Sequence, residues 1–355
     1  MLKVCHFTSC HETTDDRIFL KECQSLCQNG FEVFIVGKGC NREVAGIHII
    51  GCGEAGNRMK RIMSFSKIIY EKAKELDCDI YHFHDPELLS YGLKLKRLGK
   101  KVIFDSHEDV PAQILDKEWI PYPLRKIISI VYKRYETYAV RQFDAVVAAT
   151  SHIADTFKGR AKRIVVINNY PKLDDIEFHN KPFAERERII CYAGGINALR
   201  GENIMIEAMK DVNGQLIIAG DHKIETIGGG KIKYVGFINR IKISELYNNA
   251  CVGLCVLQPA SNYINSQPIK MYEYMAAGLP YICSDFPVWK ELTRATGAGI
   301  CVNPKDPEEL AAAISLLLNN PQKAEIMGQK GRRAVENQFS WDAERKKLNE
   351  LYKTL

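Results

Sequence analysis

The sequence predicts an α/β protein made of two doubly wound, Rossmann-like domains. Three observations carry that expectation. Short apolar runs, among them FEVFIV (31–36) and IICYA (189–193), alternate with longer segments of helical periodicity. The alternation stops across the polar stretch 169–188, which holds Pro171 and Pro182, and then restarts. A chain of 355 residues also exceeds what one hydrophobic core usually serves. Strands that alternate with helices form a parallel sheet covered on both faces.

In order, 2–7 is the first strand, 17–28 a helix stopped by Asn29-Gly30, and 31–36 the second strand. A short strand near 47–50 precedes a helix over 58–76. Then come a strand at 79–83, a helix at 86–98 closed by Gly99, and a strand at 102–105. A long helix, 123–141, and the strand 145–149 complete the first domain, 1–170. After a linker, 171–187, the second domain runs over 188–338. It contains strands 189–193, 215–219, 234–235 and 252–256, helices 201–209 and 243–249, and further helices from Pro307 onward. The last helix, within 339–355, is expected to cross back to the first domain.

Composition narrows the function. The chain is 46% hydrophobic and 26% charged, as ordinary globular proteins are. Its 12 cysteines form no C-x-x-C pair, which fits free thiols in a reducing compartment. Cys5, His6, Cys10 and His11 match no usual zinc spacing. A net charge of +6 is too small to argue for nucleic acid. The chain opens directly in a strand and has no apolar run long enough to cross a bilayer, so it is expected in the cytoplasm. The first turn, TSCHETTDD, lacks G-x-G-x-x-G and so argues against a dinucleotide cofactor. Asp77-Cys78-Asp79 could hold a metal, but it precedes its strand and lies at the wrong end of the sheet.

Ligands of open α/β sheets gather at the carboxyl ends of the strands. That edge collects Thr8 to Arg17, His84-Asp85-Pro86-Glu87, His107-Glu108-Asp109, Gly194-Gly195 and Arg200-Gly201. Histidines 84 and 107 also fit a purely structural, hydrogen-bonded role. In SQPIKMYEYMAAGLP (266–280), Pro268 can open a helix and Gly278 can stop it, with a strand at 279–284 behind. Met271, Met275, Ala276 and Leu279 give the buried stripe. Lys270 and Glu273, three apart, share one side. A cation at a helix N-terminus suits a phosphate, and a carboxylate one turn on suits sugar hydroxyls; an ordinary surface helix with a Lys–Glu pair is the plain alternative. The helix 123–141 carries Leu124, Ile127, Ile128, Val131, Tyr135 and Tyr138 on one side. Arg125, Lys126, Lys133, Arg134 and Arg141 lie on the other. Its apolar side is expected to pack on the sheet. Its basic side, with the cations of helix 58–76 (Arg58, Lys60, Arg61, Lys67, Lys72, Lys74), is either a solvated face or a seat on an anionic membrane.

Taken together, PIKMYEYMAAGLPYICSD (268–285), YAGGINALRG (192–201), HFHDPELLSYG (82–92) and VIFDSHED (102–109) resemble the family 4, or group 1, glycosyltransferases, over most of the chain. The resemblance implies the GT-B fold, two Rossmann-like domains facing a cleft. It implies a retaining transfer of sugar from a UDP- or GDP-linked donor to a lipid-linked or glycan acceptor, in cell-surface polysaccharide synthesis. The first domain would bind the acceptor and the second the donor. By the same resemblance Gly194, Gly195, Arg200, Gly236, Phe237, Asn265, Ser266, Lys270 and Glu273 bind the donor, Glu273 at the ribose. His107, Arg200 and Lys270 carry the catalysis, and Arg17, His84, Asp85 and Glu108 face the acceptor. No metal or cofactor is implied. Asn265 stands where the family usually has Glu, and Gly195 where it often has Arg. Arg200 takes the place of a Lys, and Lys270 can supply the missing charge. The rivals are a UDP-sugar 2-epimerase on the same fold and an inactive nucleotide- or glycan-binding protein. A lipid-linked acceptor would bring the enzyme to the inner face of the plasma membrane, through Arg125, Lys126, Lys133 and Arg134.

Overall fold

β1 (Lys3–Phe7) is buried toward both sides from Val4 onward, as a strand at the middle of a covered sheet is. The computed structural model places it there. It describes residues 1–355 except Glu118, Asn180 and Lys223, and of Arg58 the backbone alone. The remaining strands of the first sheet are β2 (Glu32–Gly37), β3 (Arg42–Val44), β4 (Ile47–Gly51), β5 (Ile80–Phe83), β6 (Lys101–Ser106), β7 (Ala145–Ala148) and β8 (Ile164–Val166). Their order is β3-β4-β2-β1-β5-β6-β7-β8, parallel except for the edge strand β3. The strand order reverses between β1 and β5, so the turns after those two strands open at the switch point, where ligands of such sheets bind.

Asp15 starts the helix after β1. Its Oδ1 accepts from the Arg17 and Ile18 amides at 2.9 and 3.1 Å. The helix winds wide over Asp16–Cys23, then tightens over Gln24–Gln28. Gly30, at φ +84°, ends it where the sequence predicts. The last helix, Trp341–Lys353, belongs with this sheet: residues 342–355 form one compact unit with residues 1–169. Glu344 there accepts from the Asn168 amide at 2.9 Å.

The second unit spans Tyr170–Trp341. Its strands are β9 (Ile189–Ala193), β10 (Gln215–Ala219), β11 (Glu225–Ile227), β12 (Ile232–Gly236), β13 (Val252–Cys255), β14 (Tyr281–Ser284) and β15 (Gly299–Val302). They lie in the order β11-β12-β10-β9-β13-β14-β15, with only the edge strand β11 antiparallel. The switch point falls between β9 and β13. Ile176 and Phe183, from the stretch read as linker, sit in this unit's core. The structure adds elements absent from the sequence reading: β3, β8, β11, β15, and the helices Val110–Leu115, Ser151–Phe157, Ser261–Ile264 and Pro287–Thr296.

One expectation is wrong. The apolar side of the helix Tyr122–Val140 does not cover the sheet. Leu124, Ile127 and Val131 are 49%, 57% and 59% exposed, and Ile128, Tyr135 and Tyr138 are exposed with them. The inward side instead carries Ser129, Glu136, Ala139 and Val140. Those two polar residues are satisfied there. Ser129 donates to the Pro111 carbonyl at 2.8 Å, and Glu136 pairs with Arg160 at 2.8 Å.

Candidate functional site

Helix Ile269–Ala276 is buried from Lys270 to Ala276, not along one stripe alone. Pro268 lies just before it. At its end the Gly278 amide donates to the Met275 carbonyl at 3.0 Å and the Leu279 amide to that of Tyr274 at 2.8 Å. This double closure needs a left-handed residue, and Gly278 has φ +62°. The chain therefore turns straight into β14, which fixes Lys270 and Glu273 against the sheet edge.

Those two side chains do not pair with each other. Glu273 Oε1 meets Arg240 Nη1 at 2.6 Å, and its Oε2 accepts from the Tyr247 hydroxyl at 3.1 Å. Lys270 is 9% exposed, and among the described residues it forms no ion pair. Its Nζ stands 3.6 Å from the centroid of the Tyr192 ring, a cation–π contact. Burial pulls its pKa down to about 8, since desolvation disfavours the charged form.

The turn after β9 lies directly above. A Cβ at Gly194 (φ +123°) would meet Lys270 Nζ at 3.4 Å, and one at Gly195 would meet Arg200 Nη1 at 3.1 Å. Side chains there would crowd both cations. Arg200 Nη1 and the Tyr192 hydroxyl both donate to the Gly195 carbonyl, at 3.2 and 2.8 Å. Asn197 caps the short turn Ala198–Arg200 through the Arg200 amide. Gly236 ends β12 at φ +68°, and Phe237 beyond it is 90% exposed. Asn265 closes the helix Ser261–Ile264, and Ser266 follows, its hydroxyl donating to Tyr263 and its carbonyl accepting from Trp289 Nε1. Lys270, Arg200, Glu273 and the two glycines thus converge. Gly236, Phe237, Asn265 and Ser266 belong to the same unit, but among the described residues none bonds directly to that group, and Ser266 reaches it through Tyr263, which contacts Arg200.

In the first unit the ionisable groups hold one another. The buried Arg17 grips both oxygens of Asp105, at 3.0 and 3.1 Å, and donates to the Ile167 carbonyl at 2.8 Å. Its Nε is also 3.0 Å from Glu22 Oε1. Burial alone would push the Asp105 carboxyl up, but Arg17, then His107 and His84, hold it well below the usual range. Asp85 Oδ2 takes the Thr8 hydroxyl and the Ser9 and Cys10 amides at 2.7, 2.6 and 3.2 Å, so it shapes the loop after β1. Glu87 accepts from Ser9 and Arg61. His84 Nδ1 and His107 Nε2 stand 3.3 and 3.2 Å from Asp105 Oδ2. Of the residues expected to face the acceptor, Arg17, His84 and Asp85 are thus buried in this network, and Glu108 is exposed. His107, with its side chain 19% exposed, sits at the rim. Asp79, from the D-x-D stretch, accepts from the Lys3 amide, and Asp77 pairs with Lys100, so both carboxylates have structural partners. Arg240, Tyr247, Tyr192, Glu22 and Asp105 escaped the sequence reading, and His6 entered it only as a zinc ligand set aside on its spacing. Only the same-face spacing of His82 and His84 was a visible signal of the last group.

Two doubly wound units, one carrying a buried lysine under a glycine turn at its switch point, define the class of GT-B proteins. Solved structures share the fold. Sucrose-phosphate synthase from Thermosynechococcus elongatus superimposes with a TM-score of 0.79 at 16% identity, covering 100% of this chain and 99% of that one. The Anabaena protein HepE in complex with UDP gives 0.72 at 13% identity, covering 100% of both chains. The family model for Glycosyltransferase Family 4 matches residues 17–170, and that for Glycosyl transferases group 1 matches residues 174–334. The chain belongs to the group 1 glycosyltransferases. An uncharacterised glycosyltransferase of Methanocaldococcus jannaschii is 26% identical over 182 residues, 47% of this chain and 45% of that protein. Spore coat protein SA of Bacillus subtilis is 25% identical over 187 residues, 47% and 48% of the two chains. The chain spans about half the length of the curated relatives it matches.

Proposed function

We propose that the protein moves a sugar from a nucleoside-diphosphate sugar to a lipid-linked or glycan acceptor, with retention at the anomeric carbon. The observation that carries this reading is Lys270, a buried cation with no anion opposite it among the described residues. A buried charge needs a partner, and the turn over Lys270 and Arg200 carries no side chain at Gly194 or Gly195. Lys270 and Arg200 would stabilise the charge that develops on the departing diphosphate. Glu273, already oriented by Arg240 and Tyr247, has lone pairs left for ribose hydroxyls. His107 would stand beside the reacting sugar. The HepE structures with UDP and with UDP-glucose, and a Corynebacterium glutamicum relative named as GDP-mannose-dependent, support a nucleotide-sugar donor and leave the base open between the two. No metal is needed in this scheme. An epimerase would require several free carboxylates around the sugar; of Asp85, Glu87, Glu108 and Asp109, all but the exposed Glu108 hold structural partners.

The same reading places the protein at an anionic membrane during cell-surface polysaccharide synthesis. No helix among the described residues is long and apolar enough to cross a membrane. The helix Tyr122–Val140 offers exposed Leu124, Ile127 and Val131 beside Lys126, Lys133 and Arg134, which suits shallow insertion with charge attraction. Arg125 is partly tied to the Ile120 and Leu115 carbonyls. The side chain of Arg58 lies outside the described residues.

The test is a panel of nucleotide sugars offered with and without acceptor. Nucleotide release that depends on acceptor, with an α-linked product from an α-linked donor, is expected. An isomerised donor would mean epimerase, and binding without turnover would mean a binding protein.

A further inference from the structure

The inner end of the first sheet's edge holds a cluster that sugar transfer does not use. His6 on β1 and His82 on β5 are register partners, so their rings leave the sheet on one face. His84, two residues on, shares that face. Glu22 reaches the same spot from the helix over the sheet. All four side chains are buried. His6 Nδ1 is 3.0 Å from His84 Nε2 and 3.8 Å from Glu22 Oε2, and His84 Nε2 is 3.9 Å from that oxygen. One donor atom from each of the four lies within 4.8 Å of the others.

Two further features go beyond proximity. Two of the three far nitrogens are held from behind: the Tyr352 hydroxyl is 3.1 Å from His6 Nε2 and 2.7 Å from His82 Nδ1. The third, His84 Nδ1, faces Asp105 Oδ2 at 3.3 Å without a hydrogen bond. Imidazoles that bind metal are oriented in this way by a group on the opposite nitrogen. The near side is unsatisfied. Both Glu22 oxygens and His82 Nε2 are fully buried and make no hydrogen bond. Buried polar atoms rarely stay unpaired, and those that do call for an ion, a water or a function. Arg17 Nε stands 3.0 Å from Glu22 Oε1 but gives its hydrogen to Asp105, so one guanidinium serves two carboxylates and leaves Glu22 with charge contact and no hydrogen bond.

We infer that His6, Glu22, His82 and His84 bind a divalent transition-metal ion of the zinc type. Three imidazole nitrogens and one carboxylate oxygen suit such an ion at about 2.0–2.2 Å, so the ligands would close in by several tenths of an ångström on loading. Four protein ligands leave no open position for substrate. The ion is structural: it ties β1, β5 and the first helix together in front of Tyr352 from the last helix. It is independent of the transfer reaction and does not alter that scheme.

The full chain, purified without metal resin, is incubated with zinc or cobalt, desalted and analysed by mass spectrometry of the elements. About one equivalent per chain is expected, with a rise in Tm and, for cobalt, the visible absorption of a tetrahedral site. Glu22→Gln and His82→Gln should each lose that equivalent. Tyr352→Phe, which keeps every ligand, should weaken zinc about 10- to 100-fold. Wild-type protein that takes up no equivalent and shows no shift in Tm would overturn the assignment. Zinc retained undiminished by both ligand variants would overturn it as well, by placing the metal on other side chains. Neither result bears on nucleotide-sugar turnover.

Discussion

The two sheet edges are built alike and charged differently. At the first, Arg17, Asp105, Asp85 and Glu87 are hydrogen-bonded within the fold, Glu22 has the charge of Arg17 beside it, and the surface sees mainly a rim that includes His107 and Glu108. At the second, Glu273 is partnered, but among the described residues Lys270 has an aromatic face and no anion. A closed network makes a rigid floor whose removal is felt as stability. An open cation makes a binding site whose removal is felt as affinity. Position on the sheet alone therefore does not identify a ligand residue; the state of its partners does.

The largest expected effect lies on the closed side. Arg17→Met leaves Asp105 and Glu22 buried without their cation, and should cost about 3–5 kcal/mol of stability. Thermal unfolding of the variant checks it. A melt within a degree or two of wild type would break the comparison.

Lys270→Met is the mirror test. It should leave the melt of the unliganded protein unchanged or raise it below pH 8, where the buried charge costs stability, and weaken nucleoside diphosphate by about one to two decades, since a charge-assisted bond is worth roughly 1.5–3 kcal/mol. Nucleoside affinity should hold, and calorimetry with both ligands separates the two. pH sharpens the point. In the unliganded protein Lys270 loses its proton near pH 8, so diphosphate affinity should be flat below that value. Above it, affinity should fall by up to tenfold per pH unit, and the slope should vanish in the variant. The unfolded chain keeps this proton up to about the ordinary 10.5. It therefore binds more protons between the two values, and the lysine's contribution to unliganded stability rises with pH across that window.

Glu273→Gln keeps the shape and removes the charge facing Arg240, so nucleotide affinity should drop about tenfold. Unchanged calorimetry would take the ribose role from it. The smallest effects belong to the long helix. Replacing Lys126, Lys133 and Arg134 with Gln should lower binding to anionic vesicles by about 1 kcal/mol per residue at low salt. Ile127→Ser with Val131→Ser should remove the part that survives high salt. Wild-type protein that ignores such vesicles would end the membrane reading.

Much of this was legible. The central strands announced themselves as continuous apolar runs, because strands buried on both faces need them. The edge strands β3, β8, β11 and β15 are short and lack the fully buried run of the central strands, β3 being exposed throughout, so no apolar pattern marks them. Helix Pro287–Thr296 had its signals, Pro287 to open and Gly297 to stop, but they went unread. Lys270 and Glu273 were visible because they share one helix with its own start and stop residues. Their partners Arg240 and Tyr247 were not, since they come from another helix and only the fold joins them. The long helix misled because amphipathic spacing says which residues share a side, not which side faces the core; Ser129 and Glu136 found buried partners, and the aliphatic residues did not.

Tyr352 touches His6 and His82 from the far end of the chain. On the ribosome, the first unit cannot complete its interior until residues 342–355 have been made, whereas the second unit is one continuous stretch. Synthesis at about 5–20 residues per second leaves the first unit waiting on the order of 10–40 s after residue 169 appears. For that interval its histidines and Glu22 are open to water, and the later-made half is free to finish first, against the usual order of emergence.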